Sequence, residues 1–288
     1  MSLDVRKTYK LYVNGAFSRS ESGRTYAVSD TRGRLVANAV LGSRKDLRDA
    51  VVAARAAQGG WAKRSAYNRA QILYRVAEVM QGRRDQFVAE LRHGATAATA
   101  GREVDAAIDR WVWYAGWADK FAQVMGATNP VEGPYFNFTV PEPVGVVGIV
   151  CPDDTPLLAM VSRVAPCIVS GNTTVVVASE RWPLVTITLG EALATSDVPG
   201  GVINILTGNR AELVPWMAGH GDIDTVDLTG CADDNALVTT AERAAAESVT
   251  RVVHATARES QWANEQSQSP YTIASFVEYK TVWHPKGQ

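Results

Sequence analysis

Apolar and polar positions change period three times along the chain. Residues 9 to 28 hold short β-prone runs around Asn14-Gly15, a dipeptide whose residues both tolerate positive φ and so suit a two-residue hairpin turn. From Ser43 to Met125 apolar residues recur every three to four positions: Leu47, Val51, Val52 and Ala56, then Ile72, Leu73, Val76, Val79 and Met80, then Ile108, Trp111, Tyr114 and Ala115. That spacing predicts three or four amphipathic helices, with breaks near Gly59-Gly60, Gly82 and His93-Gly94. Tyr135 to Val140 can alternate as a partly exposed strand, and Pro141 and Pro143 are expected to break its ladder. Val144 to Cys151 is a continuous apolar run of the kind that forms a strand covered on both faces.

Beyond Cys151 the pattern alternates regularly. Thr155 can cap a helix carrying Leu157, Leu158, Val161, Val164, Ala165 and Ile168 on one face, stopped by Ser170-Gly171. Strands are expected at 173–177, 202–206, 225–228 and 250–254, separated by helices at 184–195, 213–218 and 233–247. Five strands alternating with four helices predict a parallel, doubly wound sheet with right-handed connections. Residues 255–270 are polar, rich in Gln and Ser and closed by a proline, which reads as a linker or arm. Tyr271 to Trp283 is β-prone again, with Ile273, Phe276, Tyr279 and Val282 available for sheet faces.

Composition narrows the function. The 288 residues carry 29 Lys plus Arg against 30 Asp plus Glu, a net charge of −1, which argues against a general basic binder of nucleic acid or of an anionic membrane. Hydrophobic residues make up 46% and charged residues 20%, as in an ordinary globular protein, and no apolar run approaches the roughly 18 residues of a membrane span. The N-terminus shows no signal-peptide apolar stretch, and three cysteines, Cys151, Cys167 and Cys231, cannot complete a disulfide framework, so a reducing cytoplasm is the expected compartment. Trp111, Trp113 and Trp117 could be read as a stacking platform for single strands, but helical spacing without a basic stripe favours buried core. His93, His220, His254 and His284 lack metal-ligand spacing. The pairs Asp153-Asp154 and Asp233-Asp234 read first as solvated loops and helix caps. Cys151 and Cys231 read as buried structural thiols, with no His or Lys beside them in sequence to activate them.

Parallel α/β sheets bind ligands outside the carboxyl ends of their strands, and none of the loops there contains GxGxxG. The run Glu142-Pro-Val-Gly-Val-Val-Gly-Ile-Val-Cys-Pro152, with Gly171-Asn-Thr173 and Leu228-Thr-Gly230, resembles the aldehyde dehydrogenase superfamily. Tyr12-Val-Asn-Gly15, Tyr114-Ala-Gly-Trp-Ala-Asp119, Val198-Pro-Gly-Gly-Val-Ile-Asn204, Asp222-Ile-Asp224 and Glu278-Tyr-Lys-Thr-Val-Trp283 agree. The resemblance covers about residues 7 to 254 and 271 to 284. It implies an α/β fold: a Rossmann-like parallel sheet covered by helices, an N-terminal helical and β-hairpin layer, and a small β oligomerisation arm. The corresponding division is an N-terminal hairpin and helices (1–134), an oligomerisation strand (135–143), a dinucleotide-binding-type domain (144–254), a linker (255–270) and a C-terminal oligomerisation strand (271–288).

For activity the resemblance implies less. Active members use a cysteine nucleophile in a second α/β domain, pass hydride to NAD(P), and hydrolyse a thioester with water activated by a glutamate. Here the 16 residues from 255 to 270 stand where that domain would be, far fewer than a domain's usual minimum near 50. None of the three cysteines aligns with the nucleophile, and Thr250 to Glu259 lacks the family's Glu-Leu-Gly-Gly. Asp154 falls where an asparagine amide would donate to the oxyanion, and a carboxylate there has no proton to give. Val177 replaces the lysine that holds the adenosine ribose, Glu180 stays in register, Arg210 and Val214 replace glycines, and Cys231 follows Thr229-Gly230. Val150, Pro152, Val177, Glu180, Arg210, Thr229, Gly230 and Cys231 are thus vestigial cofactor positions, with no catalytic or metal-binding residue among them. No cofactor is expected, or NAD(P) bound only weakly. The leading expectation is an inactive homologue working as a homodimer, or as a heteromer with a full-length aldehyde dehydrogenase, through residues 135–140 and 271–283, with neither nucleic acid nor membrane as partner. The alternatives are a nucleotide or small-ligand binding module, in which Arg210 grips a phosphate at a helix start, and a still-active NAD(P)-dependent dehydrogenase.

Overall fold

A computed structural model describes residues 7–254 and 261–287. Strands β1 (Thr8–Tyr9), β2 (Leu11–Val13), β3 (Ala16–Ser18), β4 (Thr25–Ser29) and β5 (Leu35–Val40) open the chain. Asn14 and Gly15 take φ of 52° and 75°, so the β2–β3 hairpin turns as expected. Helices α1 (Arg44–Ala62), α2 (Ala66–Gly82), α3 (Arg84–Leu91), α4 (Ala97–Ala115) and α5 (Phe121–Met125) follow. The expected break at Gly59-Gly60 does not occur. Nothing lies within 4 Å of where a Cβ on either glycine would stand, and running α1 past them buries Trp61, whose indole N–H donates to the Ile168 carbonyl at 2.8 Å. The boundary falls instead at Ser65, whose hydroxyl caps α2 by accepting the Asn68 N–H.

Strands β6 (Ala127–Asn129) and β7 (Tyr135–Pro143) lead into β8 (Val146–Val150), α6 (Pro156–Val169), β9 (Thr173–Val177), α7 (Leu184–Leu193), β10 (Ile203–Leu206), α8 (Arg210–Ala218), β11 (Thr225–Asp227), α9 (Asn235–Ser248) and β12 (Arg251–Val253). All five expected strands and four expected helices of this half are present. The main sheet runs β12-β11-β8-β9-β10-β2-β3, parallel from β12 to β10, with the N-terminal hairpin added antiparallel beside β10. Alternation divides its side chains between two cores. Val147, Ile149, Val176, Ile203 and Ile205 pack with α6, α7, α2 and α4. Val146, Val150, Val175, Val177 and Leu206 pack with α1 and the α8–α9 pair. The fold is therefore the expected Rossmann-like sheet covered on both faces.

Three local expectations are corrected. Pro141 and Pro143 do not break β7, which pairs with the C-terminal strand over all nine of its residues. β6 pairs only with positions 137–139, so the prolines lie where that edge of β7 needs no N–H. Residues 271–274 are not strand: α10 (Pro270–Ala274) precedes β13 (Val277–Pro285). Residues 261–270 are not a free linker, because Trp262 and Ser267 are buried and the buried Arg110 donates to the Trp262 carbonyl and to the Ser267 hydroxyl, both at 2.9 Å. Positions 255–260, the other part of the expected linker, lie outside the described residues. Strands β13-β7-β6 form a separate three-stranded arm, and β1-β5-β4 a small sheet near the N-terminus.

Candidate functional site

From β8 the chain steps to β9 and β10 on one side, then returns to β11 and β12 on the other. The crevice at the carboxyl ends of β8 and β11 is thus the ligand position expected of an open α/β sheet. Its walls are the loop after β8 (151–155), the loop after β9 (178–183), the start of α8, and a 3₁₀ turn at Thr229–Cys231. A cavity of about 390 Å³ lies there, lined by Asp153, Glu180, Arg181, Asn209, Arg210, Ala211, Asp233, Asp234 and Leu237. Four carboxylates against two guanidinium groups make this lining net acidic.

The structure gathers most of the sequence-selected residues around this crevice but commits several of them to one another. Arg210 opens α8, and its guanidinium pairs with Asp153 and reaches the Gly230 carbonyl at 3.4 Å. The Glu180 carboxylate accepts the Arg210 backbone N–H at 3.1 Å, and the Asn209 side chain accepts the Glu212 N–H at 3.1 Å. The N-terminus of α8, whose free N–H groups and dipole would otherwise attract an anion, is thereby capped from within the chain. Burial pulls the Asp153 carboxyl upward, but the Ser179 hydroxyl, the Arg210 charge and the Arg181 N–H hold it below the ordinary value.

Val150, Pro152 and Val177 are buried in the sheet and at its edge, and Val177 belongs to the core under α8. A Cβ on Gly230 would run into the backbone of Val150 to Pro152, so this glycine is required by packing alone. Thr229 is buried and its hydroxyl finds no hydrogen-bond partner among the described residues. Burial pushes the thiols of Cys151 and Cys231 up to about 12, Arg210 only partly opposing it, so neither is an activated nucleophile. Among the described residues no group of His, Cys, Asp and Glu is placed to hold a metal ion.

A second cavity of about 300 Å³ lies beside Asp154, against the start of α6. Thr155 occupies the N-cap position, yet it takes a left-handed φ of 45° and makes no cap hydrogen bond. The expected cap is supplied from α4 instead: Glu103 Oε1 accepts the N–H groups of Leu157 and Leu158 at 2.9 and 3.3 Å. Burial raises the Glu103 carboxyl to about 7 despite those two donors, with the Asp154 charge adding to the rise. Asp154 itself is exposed.

Three residues that shape the site escaped the sequence reading. Asp227, fully buried at the end of β11, accepts from Arg163 Nε at 2.5 Å and from the Thr229 N–H at 2.9 Å, fixing the 3₁₀ turn. Arg163 comes from α6, a helix buried along its whole length. A lone charge inside an otherwise apolar helix, and a lone acid ending an apolar strand, were the available signals for this pair. Glu103 sits among polar residues in sequence and gave none.

The family model for the aldehyde dehydrogenase family matches residues 17–261. The chain is 34% identical over 244 residues to the mitochondrial aldehyde dehydrogenase family 2 member B4 of Arabidopsis thaliana, covering 82% of this chain and 44% of that protein. It is 33% identical over 246 residues to human retinal dehydrogenase 2, covering 82% and 46%. The solved NAD+ complex of an aldehyde dehydrogenase from Bacillus cereus superposes with a TM-score of 0.81 at 27% identity, covering 86% of this chain and 50% of that one. The chain thus spans about half the length of the relatives it matches.

Proposed function

The chain belongs to the aldehyde dehydrogenase family, and from that membership we propose that it is a non-catalytic member which acts by association with another copy or with a full-length family dehydrogenase. The observation carrying this reading is the Arg210 lock. The Arg210 guanidinium pairs with Asp153 and reaches Gly230, and Glu180 caps the end of α8 where a phosphate oxygen would dock. The solved relative holds NAD+, but the residues here do not fit that group. Val177 offers no amine to a ribose, Glu180 Oε2 is engaged by the Arg210 N–H, and a net acidic lining repels a pyrophosphate. No step is therefore derived through a cofactor. The chain's own residues at this place hold one another, and the three thiols, all buried, stay protonated at neutral pH.

Association is supported by the arm, whose β13 edge has no strand beside it among the described residues and whose apolar residues Tyr135, Phe136, Tyr279, Val282 and Trp283 are exposed. Purified protein incubated with NAD+ or NADP+ and short aldehydes is expected to form no reduced nicotinamide. Turnover that needs the cofactor and survives Cys151→Ala would contradict the proposal. A second reading, a small-ligand module, draws on the orphaned Thr229 hydroxyl in the crevice wall. A shift in melting temperature with ADP or CoA at millimolar concentration would favour it.

A further inference from the structure

The cavity beside Asp154 lies where α3 and the turn after it, the start of α6 and the loop after β9 meet. Its wall carries four carboxylic acids, Glu90, Glu103, Asp153 and Asp154, against one guanidinium, that of Arg181, which lies over the Trp182 ring at 5.1 Å from the centroid. Asp153 is committed to Arg210 and to the Ser179 hydroxyl, but Glu90, Glu103 and Asp154 form no ion pair among the described residues. Glu90 Oε1 accepts from the Tyr9 and Thr188 hydroxyls, and its Oε2 is buried with no hydrogen-bond partner among those residues. Glu103 is 7% exposed. Its Oε1 holds the two N–H groups that open α6, and its Oε2 has no hydrogen bond among the described residues. Thr155 Oγ1 is buried and equally without a partner. Buried polar groups nearly always find partners, and a buried carboxylate without a positive one is costly. This wall lacks a donor that also carries positive charge.

We propose that the cavity is a binding site for a short primary alkylammonium ion, its nitrogen at Glu103 and Asp154 and its alkyl chain against Trp182, Leu184 and Val185. An ammonium brings three N–H donors and one positive charge in a single compact group, which suits the unpartnered oxygen of Glu103. The rest of the wall, Leu91, Pro156, Trp182, Leu184 and Val185, is apolar and gains from covering a hydrocarbon chain but not from a bare inorganic ion. Among the described residues no group of His, Cys, Asp and Glu is placed to hold a metal ion. Gly94 lets the indole stand where it does, since a Cβ there would lie 2.8 Å from the Trp182 ring. At about 300 Å³ the cavity is at the small end of ligand sites, which limits the chain to a few carbons.

Burial holds a proton on Glu103 up to about 7. The charged and titratable groups that share the cavity with it are Glu90 and His93 from α3 and the turn after it, Asp153 and Asp154 from the loop after β8, and Arg181 from the loop after β9. An ammonium ion beside Glu103 favours its charged form, so binding at neutral pH releases protons.

Calorimetric titration of the whole purified chain with n-butylammonium chloride at constant ionic strength is expected to give saturable heat in the millimolar range, with an apparent enthalpy that follows the buffer's ionisation enthalpy in the sense of proton release. n-Butanol and potassium chloride should give none. Glu103→Gln keeps an acceptor for the Leu157 and Leu158 N–H groups, so the circular dichroism spectrum should not change. Binding should nonetheless weaken at least about tenfold, and the proton release should vanish. Asp154→Asn, at the exposed rim, should weaken binding by up to about fivefold, and Asp233→Asn, in the other cavity, should leave it unchanged. Absence of saturable heat with n-butylammonium overturns the proposal. So does equal binding of n-butanol or potassium, indifference to Glu103→Gln, or weakening by Asp233→Asn. The association reading, tested by sedimentation mass, is untouched by any of these outcomes.

Discussion

The Arg210 guanidinium is turned onto its own chain, paired with the Asp153 carboxylate and reaching the Gly230 carbonyl. Two other charged residues are placed to carry measurable consequences. The buried Arg163–Asp227 pair anchors the turn below the crevice, and removing one partner of such a pair leaves the other charge uncompensated. Asp227→Asn should cost about 3–5 kcal/mol of stability, read from the denaturant midpoint, and a loss below about 1 kcal/mol would remove the anchoring role. Glu103 titrates near 7 in the folded chain against an ordinary 4.5. The folded state therefore holds a proton that the unfolded chain has released between those values. The stabilisation from this group is complete below about pH 4.5 and is lost as pH rises through about 7. Glu103→Gln stays neutral throughout and can still accept the Leu157 and Leu158 N–H groups. The variant's stability relative to the parent should grow from about pH 5 to pH 8, by up to about 3 kcal/mol. A difference constant with pH would contradict that assignment.

At the scale of elements, the parallel half was legible because its strands are buried on both faces: β8 and β9 read as unbroken apolar runs, and every residue of both is buried. The errors arose where tertiary contacts overrode local signals. Gly59-Gly60 stayed helical because Trp61 had a binding place beyond them, and Pro141 and Pro143 stayed in a strand because their edge lacks a partner. The stretch 261–270 looked like linker because its composition is polar, yet Arg110 turns that polarity to use by binding its carbonyl and hydroxyl groups. Glu103 could not be found at all, since its role depends on α4 crossing the start of α6. Trp262 is 5% exposed, so Trp262→Ala should cost about 3–5 kcal/mol, whereas a free linker would lose less than about 0.5 kcal/mol. Thermal or denaturant unfolding of the variant separates the two.

On the scale of the whole molecule, the chain spans about half the length of its relatives, and 86% of it superposes on the solved NAD+ complex from Bacillus cereus. No helix among the described residues is long and apolar enough to cross a membrane. The near-balanced charge offers no general electrostatic partner, which leaves the exposed aromatic edge as the feature best suited to another protein. Side chains of the crevice are engaged with each other, while among the described residues no strand pairs with the outer edge of β13. We propose that the crevice does not serve a dinucleotide. Calorimetric titration of the purified chain with NAD+ to millimolar concentration tests it most directly. No saturable heat is expected, and a saturable isotherm with a dissociation constant in the micromolar range, weakened by Glu180→Ala, would show instead that the crevice takes the dinucleotide.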